Sequence, residues 1–232
     1  MSQTVIELVL GAVIALLVTI WLESSRKPKE ELSIAPPHDN RYQNRPASTA
    51  RFLALEISNK PLPRSLRWMS RSPAVQCHGM IRFDRGNGEH LFNRAMAIRW
   101  SGSIEPIATD LIVSGVRVSL VDHTKLMLST RVDIHPGESS HLDVAARFDD
   151  ELQAFDWSNE SYFSNPIWRA PEWTIPPGRH LLRVEVVSSG ETCSGIFRLI
   201  NDGPQAQFRL EPAAPAEVAL LRATSAGTLT TH

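Results

Sequence analysis

Cysteine is almost missing from this chain of 232 residues, which holds only Cys77 and Cys193. A disulfide-stapled scaffold is thereby excluded, and at most one bridge can form. Net charge is equally scarce: 24 basic against 25 acidic side chains leave −1, so no global field draws the chain to nucleic acid, which is not an expected partner. There is no glycine-rich phosphate loop and no G-x-S-x-G elbow, and Ser194-Gly195 falls in a strand pattern rather than before a helix. His78, His90, His123, His135, His141 and His180 lack the i, i+4 spacing that puts two imidazoles on one helix face. Neither His nor Met follows Cys193 as a copper site requires. Asp149, Asp150, Glu151 and Asp156 read as a hydrated turn after a strand, not as a working pair of carboxylates. The sequence therefore assigns no catalytic residue, no cofactor and no metal.

What is present begins with VIELVLGAVIALLVTIWL, residues 5–22, preceded by a four-residue tail. At about 1.5 Å per residue this run nearly spans a hydrocarbon core of ~30 Å. A buried core helix would show a polar face, and a cleaved signal peptide would show a basic start and a small-residue cleavage site. The run shows none of these, so an uncleaved single-pass anchor with the lipid bilayer as its partner is expected. Glu7, Trp21, Arg26, Lys27 and Lys29 are its membrane-interface residues. The basic residues follow the span and none precedes it, so the positive-inside rule places the C-terminal domain in the cytoplasm. The exported face is the alternative, and there Cys77 and Cys193 on facing strands would be expected to join.

Residues 23–50 are rich in Pro, Ser and charge without periodicity and read as a flexible tether, whereas 211–232 read as a largely disordered tail. Between them, in 51–210, the dominant period is two. Val75, Cys77, Gly79, Ile81 and Phe83 share one face, as do Leu53, Leu55 and Ile57, then Met96, Ile98 and Trp100. Leu128, Thr130, Val132 and Ile134 lead through the Pro136-Gly137 turn to Leu142, Val144, Ala146 and Phe148, which predicts a hairpin. In the second of these strands, His141, Asp143, Ala145 and Arg147 fall on the solvent side. A second hairpin joins Leu182, Val184 and Val186 to Cys193, Gly195, Phe197 and Leu199. Such a succession of short strands without long amphipathic helices predicts a mainly β chain, a transmembrane helix followed by an antiparallel β-sandwich. The pattern resembles an immunoglobulin-like or fibronectin-like sandwich over about Phe52 to Leu210, with a Cys77-to-Trp100 spacing longer than that of antibody-type domains.

Two connections break the strand pattern, and loops are where such domains carry binding. In 61–73, Arg64, Arg67 and Arg71 at offsets of three and four would share one side of a helical turn around Trp68, a basic contact for headgroups or phosphates; the favoured reading is a solvated loop whose Trp68 packs on the sandwich edge, since three arginines are fewer than polybasic lipid sites use. In 157–173, Trp157 and Trp173 are expected in packing, while Tyr162, Phe163 and Trp168 are the candidates for a protein interface. The functional expectation is a membrane-anchored binding module, the accessory or recognition subunit of a membrane-associated protein assembly with an unidentified protein partner. The alternatives are an enzyme or small-ligand site assembled from distant residues, and an exported envelope or adhesion domain.

Overall fold

The computed structural model describes residues 3–41, 48–66, 68–103, 108–114, 116–121, 130–164, 170–189 and 191–227. Helix α1 (Gln3–Arg26) contains the apolar run, and none of its apolar window is buried against the rest of the chain. It is long and apolar enough to cross a membrane or to act as a signal anchor. Strands follow in the order β1 (Glu30–Ile34), β2 (His38–Arg41), β3 (Thr49–Asn59), β4 (Ala74–Arg85), β5 (Met96–Ala97), β6 (Arg99–Trp100), β7 (Ala108–Val113) and β8 (Val116–Val121). After them come β9 (Val132–Ile134), β10 (Ser139–Phe148), β11 (Ala154–Asp156), a short helix α2 (Asn159–Ser164), β12 (Thr174–Ile175), β13 (Gly178–Ser188), β14 (Glu191–Asn201), β15 (Arg209–Pro212) and helix α3 (Pro215–Gly227).

Among the described residues these strands make two antiparallel sheets and one separate ribbon, formed by β7 and β8. The first sheet runs β1-β3-β10-β11-β12, with β2 also against β3 and β6 against β10. The second runs β15-β14-β13-β4-β5, with β9 also against β4. One apolar cluster is fed by both: Leu53, Leu55, Ile57 and Leu142 from the first sheet, Cys77, Ile81, Phe83, Leu182, Val186 and Leu199 from the second. The period-two faces thus meet in a shared core, the arrangement that lets each sheet bury its apolar side.

A β-bulge changes the expected faces of β10. Its pairing with β3 shifts register between Asp143 and Ala145, and one extra residue turns every later side chain to the opposite face. Ala146 and Phe148 therefore leave the shared core and join Ala50, Phe155, Trp157 and Tyr162 in a second cluster, on which Phe52 packs. Asp143, Ala145 and Arg147, expected in solvent, are all buried. A similar irregularity between Ala74 and Cys77, with Gln76 at φ 54°, puts Ala74 in the core and leaves Val75 exposed.

Three further expectations are corrected. The Pro136-Gly137 turn does not close a hairpin: β9 pairs with β4 and β10 with β3, so the turn crosses between sheets. The tether segment contains β1, paired along its whole length with β3, and β2, paired with the first residues of β3. Backbone pairing with a long central strand supplies what its polar sequence does not advertise. In the C-terminal tail, α3 is started by Pro215 and by Glu217, which reaches back to the Ala214 N–H at 2.7 Å. Arg198 of β14 grips the same Glu217 at 2.6 Å, and Leu221 is buried.

Two asparagines seal the ends of the shared core. At one end Asn59, fully buried, donates to the Ser72 and Ile134 carbonyls at 3.1 and 3.2 Å. At the other, buried Arg147 donates to Asn201 Oδ1 at 2.8 Å, joining the two sheets, while Asn201 Nδ2 bonds the Leu152, Ile175 and Pro176 carbonyls. Between them the packing leaves no slack at Gly79, where a Cβ would stand 2.7 Å from Ile98 Cδ1 and 3.3 Å from Val186 Cγ2. Gly79→Ala is expected to cost about 1–3 kcal/mol by overpacking, read from denaturant midpoints; an unchanged midpoint would show that Ile98 moves aside freely.

The two cysteines lie on the second sheet with β13 between their strands. Val186 stands opposite Cys193 on one side and Gly79, two residues from Cys77, on the other. Two interstrand steps amount to about 10 Å, beyond the ~7 Å Cα limit for a bridge. Both are free, and burial with Glu30 and Asp133 nearby pushes the Cys77 thiol up to about 12. The chain unfolded without reductant should therefore titrate two thiols whichever compartment it comes from, and a titre of zero would contradict this topology. Bridging, expected above to mark an exported domain, consequently carries no information about compartment.

Candidate membrane-proximal site

Helix α1 ends at Arg26, with Glu23 in its last turn and Lys27 just beyond it, and its last carbonyls have no partners within the helix. The domain provides them. Ser72 N–H donates to Arg26 O at 2.7 Å, and Arg71 Nη1 donates to Lys27 O at 2.6 Å. A guanidinium at this position also opposes the negative end of the helix dipole. The exit strand is held as well: Lys29 N–H donates to Asn59 Oδ1 at 3.2 Å, and Lys60 N–H to Lys29 O at 2.8 Å. Lys27 adds an exposed ion pair with Glu191 at 3.0 Å, which contributes little by itself. The joint between helix and sheets is thus bonded through backbone and buried amide rather than loosely tethered.

Residues 61–73 form the other half of this site. Among its described residues only Arg64–Leu66 is helical, a single 3-10 turn closed by Leu66 N–H on Pro63 O, with Met69 N–H on Leu66 O after it. Of the three arginines expected on one side of a helical turn, two are described, and they lie apart in role. Arg64 is exposed on that turn, Arg67 lies outside the described residues, and Arg71 has turned onto the helix end, where its Nε is buried without a partner. Trp68 is 70% exposed. Beside it opens a crevice of about 350 Å³ lined by Thr19, Leu22, Glu23 and Arg26 of α1 and by Trp68, Met69 and Ser70. Of the other interface residues, Trp21 is exposed near the same end of α1, Lys29 is exposed at the exit, and Glu7 lies towards the far end.

The aromatic connection is placed differently from expectation. Tyr162 is buried, not a contact surface; its ring meets Trp157 edge-on at 5.7 Å. The side chains of Phe163 and Trp168 lie outside the described residues. Trp157 and Trp173 are both buried. Under Trp157 and Tyr162 runs Arg99, its guanidinium carbon 5.5 and 4.6 Å from the two rings, and Arg99 Nη1 meets Asp143 Oδ2 at 2.5 Å. Burial lifts the Asp143 carboxyl above its usual range, against the pull of Arg99 and of the Ser101 hydroxyl, which donates to its other oxygen.

Sequence reasoning also missed Asp156, which it placed in a hydrated turn. Asp156 is fully buried on β11, where its Oδ2 accepts from Ser158 Oγ at 2.5 Å and its Oδ1 has no partner. Ser158 in turn caps α2 through the Ser161 N–H. Burial pushes this carboxyl up to about 7, from an unfolded value of about 3.9. The folded chain therefore binds more protons than the unfolded chain between those values, so Asp156 lowers stability as pH rises through that window. Asp156→Asn should flatten the loss of stability between about pH 4 and 7, measured by urea unfolding; superimposable pH profiles would remove Asp156 as the titrating group.

Other polar groups are structural clamps. Asp84, fully buried, receives Arg183 Nε at 2.8 Å and lies 2.6 Å from His90 Nδ1, tying β13 to β4 and the loop after it. Among the described residues no group of three His, Cys, Asp or Glu side chains could hold a metal ion. A shallow depression of about 320 Å³ crosses the outward face of β4, β13 and β14 between Met80, Arg82, Arg183, Glu185 and Ile196. No protein-family model matches the chain, and neither a curated protein nor a solved structure matches it significantly.

Proposed function

We propose that the chain is a membrane-anchored sandwich of immunoglobulin-like or fibronectin-like type, acting by binding as an accessory or recognition subunit of a membrane-associated protein assembly. The observation that carries this is the bonded joint, in which Arg71, Ser72, Asn59 and Lys60 fasten the sheets to the end of α1. A recognition surface held at constant height and azimuth meets a membrane-held partner at a high effective concentration. The depression at Met80, Arg82 and Ile196, which mixes apolar area with charge, is the surface offered to the protein partner. Arg26, Lys27 and Lys29 favour a cytoplasmic domain by the positive-inside rule.

Affinity capture of the full chain from membranes in mild detergent should recover a defined partner, and capture that weakens with Met80→Asp or Ile196→Asp would locate it on that surface. Recovery of no partner after chemical cross-linking in intact membranes would overturn the reading. Orientation is read separately with Leu152→Cys, an exposed position at the end remote from the helix. An impermeant maleimide should label it only after lysis; labelling in intact cells would place the domain on the exported face.

A further inference from the structure

The crevice between α1 and residues 68–70 has a polarity that runs along the helix axis. Arg26, Glu23 and Ser70 line one end, while Thr19, Leu22, Trp68 and Met69 line the other. Thr19 and Arg26 are seven residues apart, so the crevice descends about 10 Å along the helix. In a bilayer that distance carries a solute from the headgroup phosphates to the upper acyl chain. Arg26 lies at the polar end, and Arg71, bonded to Lys27 O one residue further on, keeps a buried Nε–H without an acceptor. Lys27 and Lys29 follow Arg26 in sequence at the helix exit, and Glu23 is the one acidic residue in the crevice lining.

We propose that this crevice is a binding site for one bilayer phospholipid with an anionic headgroup. Its phosphate sits at Arg26, the one basic residue that lines the crevice among the described residues, and the first carbons of an acyl chain lie along Leu22 and Trp68. The occupant follows from continuity: the crevice walls are the helix that crosses the lipid and a tryptophan left 70% exposed beside it. An amphipathic ring with a polar edge suits that depth. The proposal rests on the anchor reading of α1 and adds to it a lipid selected by headgroup.

The test uses the full chain in nanodiscs of mixed phosphatidylglycerol and phosphatidylcholine, with bromine on the acyl chains of one lipid or the other. The Trp68 share of quenching is the difference between the wild type and Trp68→Phe, and the Trp21 share is the difference from Trp21→Phe. Trp68 quenching should be stronger when phosphatidylglycerol carries the bromine, with local enrichment of about fivefold per arginine engaged, and Arg26→Gln should abolish the difference while Trp21 remains quenched. Equal Trp68 quenching by both lipids, or none while Trp21 is quenched, overturns the site and leaves the anchor standing. Loss of quenching at both tryptophans overturns the anchor itself, and the lipid site with it.

Discussion

Asp143→Ala is expected to lower the unfolding free energy by about 3–5 kcal/mol, the penalty for leaving a buried charge without its counter-ion. Arg99 is 3% exposed and Asp143 is 6% exposed, so water cannot replace the missing carboxylate without opening the second cluster. The cation would remain between the Trp157 and Tyr162 rings, whose attraction for it offsets only about 1–2 kcal/mol. Such a loss is a large part of the 5–15 kcal/mol that holds a typical domain together. The double variant Arg99→Met/Asp143→Leu should recover most of it, because apolar groups of similar volume remove both desolvation costs together. Urea unfolding of the two variants beside the wild type decides the matter. A single variant within about 1 kcal/mol of wild type would mean that the pair behaves as an exposed one.

Asn59→Ala should be comparably severe, at about 3 kcal/mol, since it strands the Ser72 and Ile134 carbonyls and the Lys29 N–H together. Its distinguishing consequence is local. The Lys29 amide, now without its acceptor, should exchange with solvent much faster than in Gly79→Ala, a variant that destabilises the core but leaves the joint intact. If both variants accelerate Lys29 exchange equally, the amide opens only by global unfolding and Asn59 has no special hold on the exit strand.

The shared core was legible in sequence because Leu53, Leu55, Ile57, Cys77, Ile81, Phe83, Leu182 and Val186 obey a strict period of two. Helix α1 was legible for a similar reason, as an apolar run long enough to span a membrane. The faces of β10 were not, since a bulge is a single backbone irregularity that leaves no mark in composition yet exchanges Arg147 for Phe148. Strands β1 and β2 escaped because edge strands need only hydrogen-bonding backbone, and ELSI and HDNR look like linker. Of the site residues, the basic exit of α1 and Trp68 could be named from sequence, but Arg71 as a helix cap could not. Its role depends on the chain returning 44 residues later to the Lys27 carbonyl. The buried Asp156 and Arg99 were hidden by the habit of reading isolated charges as surface.

Because the last carbonyls of α1 are bonded into the domain, the helix and β10 move as one lever. Ser139, at the near end of β10, belongs to the turn whose Glu138 carbonyl accepts the Asn59 N–H, and Phe148 lies nine residues on, about 31 Å away. If α1 spans a bilayer at the tilt of about 20° ordinary for a single span, that far end swings sideways by up to about 11 Å. Hydrophobic mismatch, one of the influences on such a tilt, would then move the outermost loops.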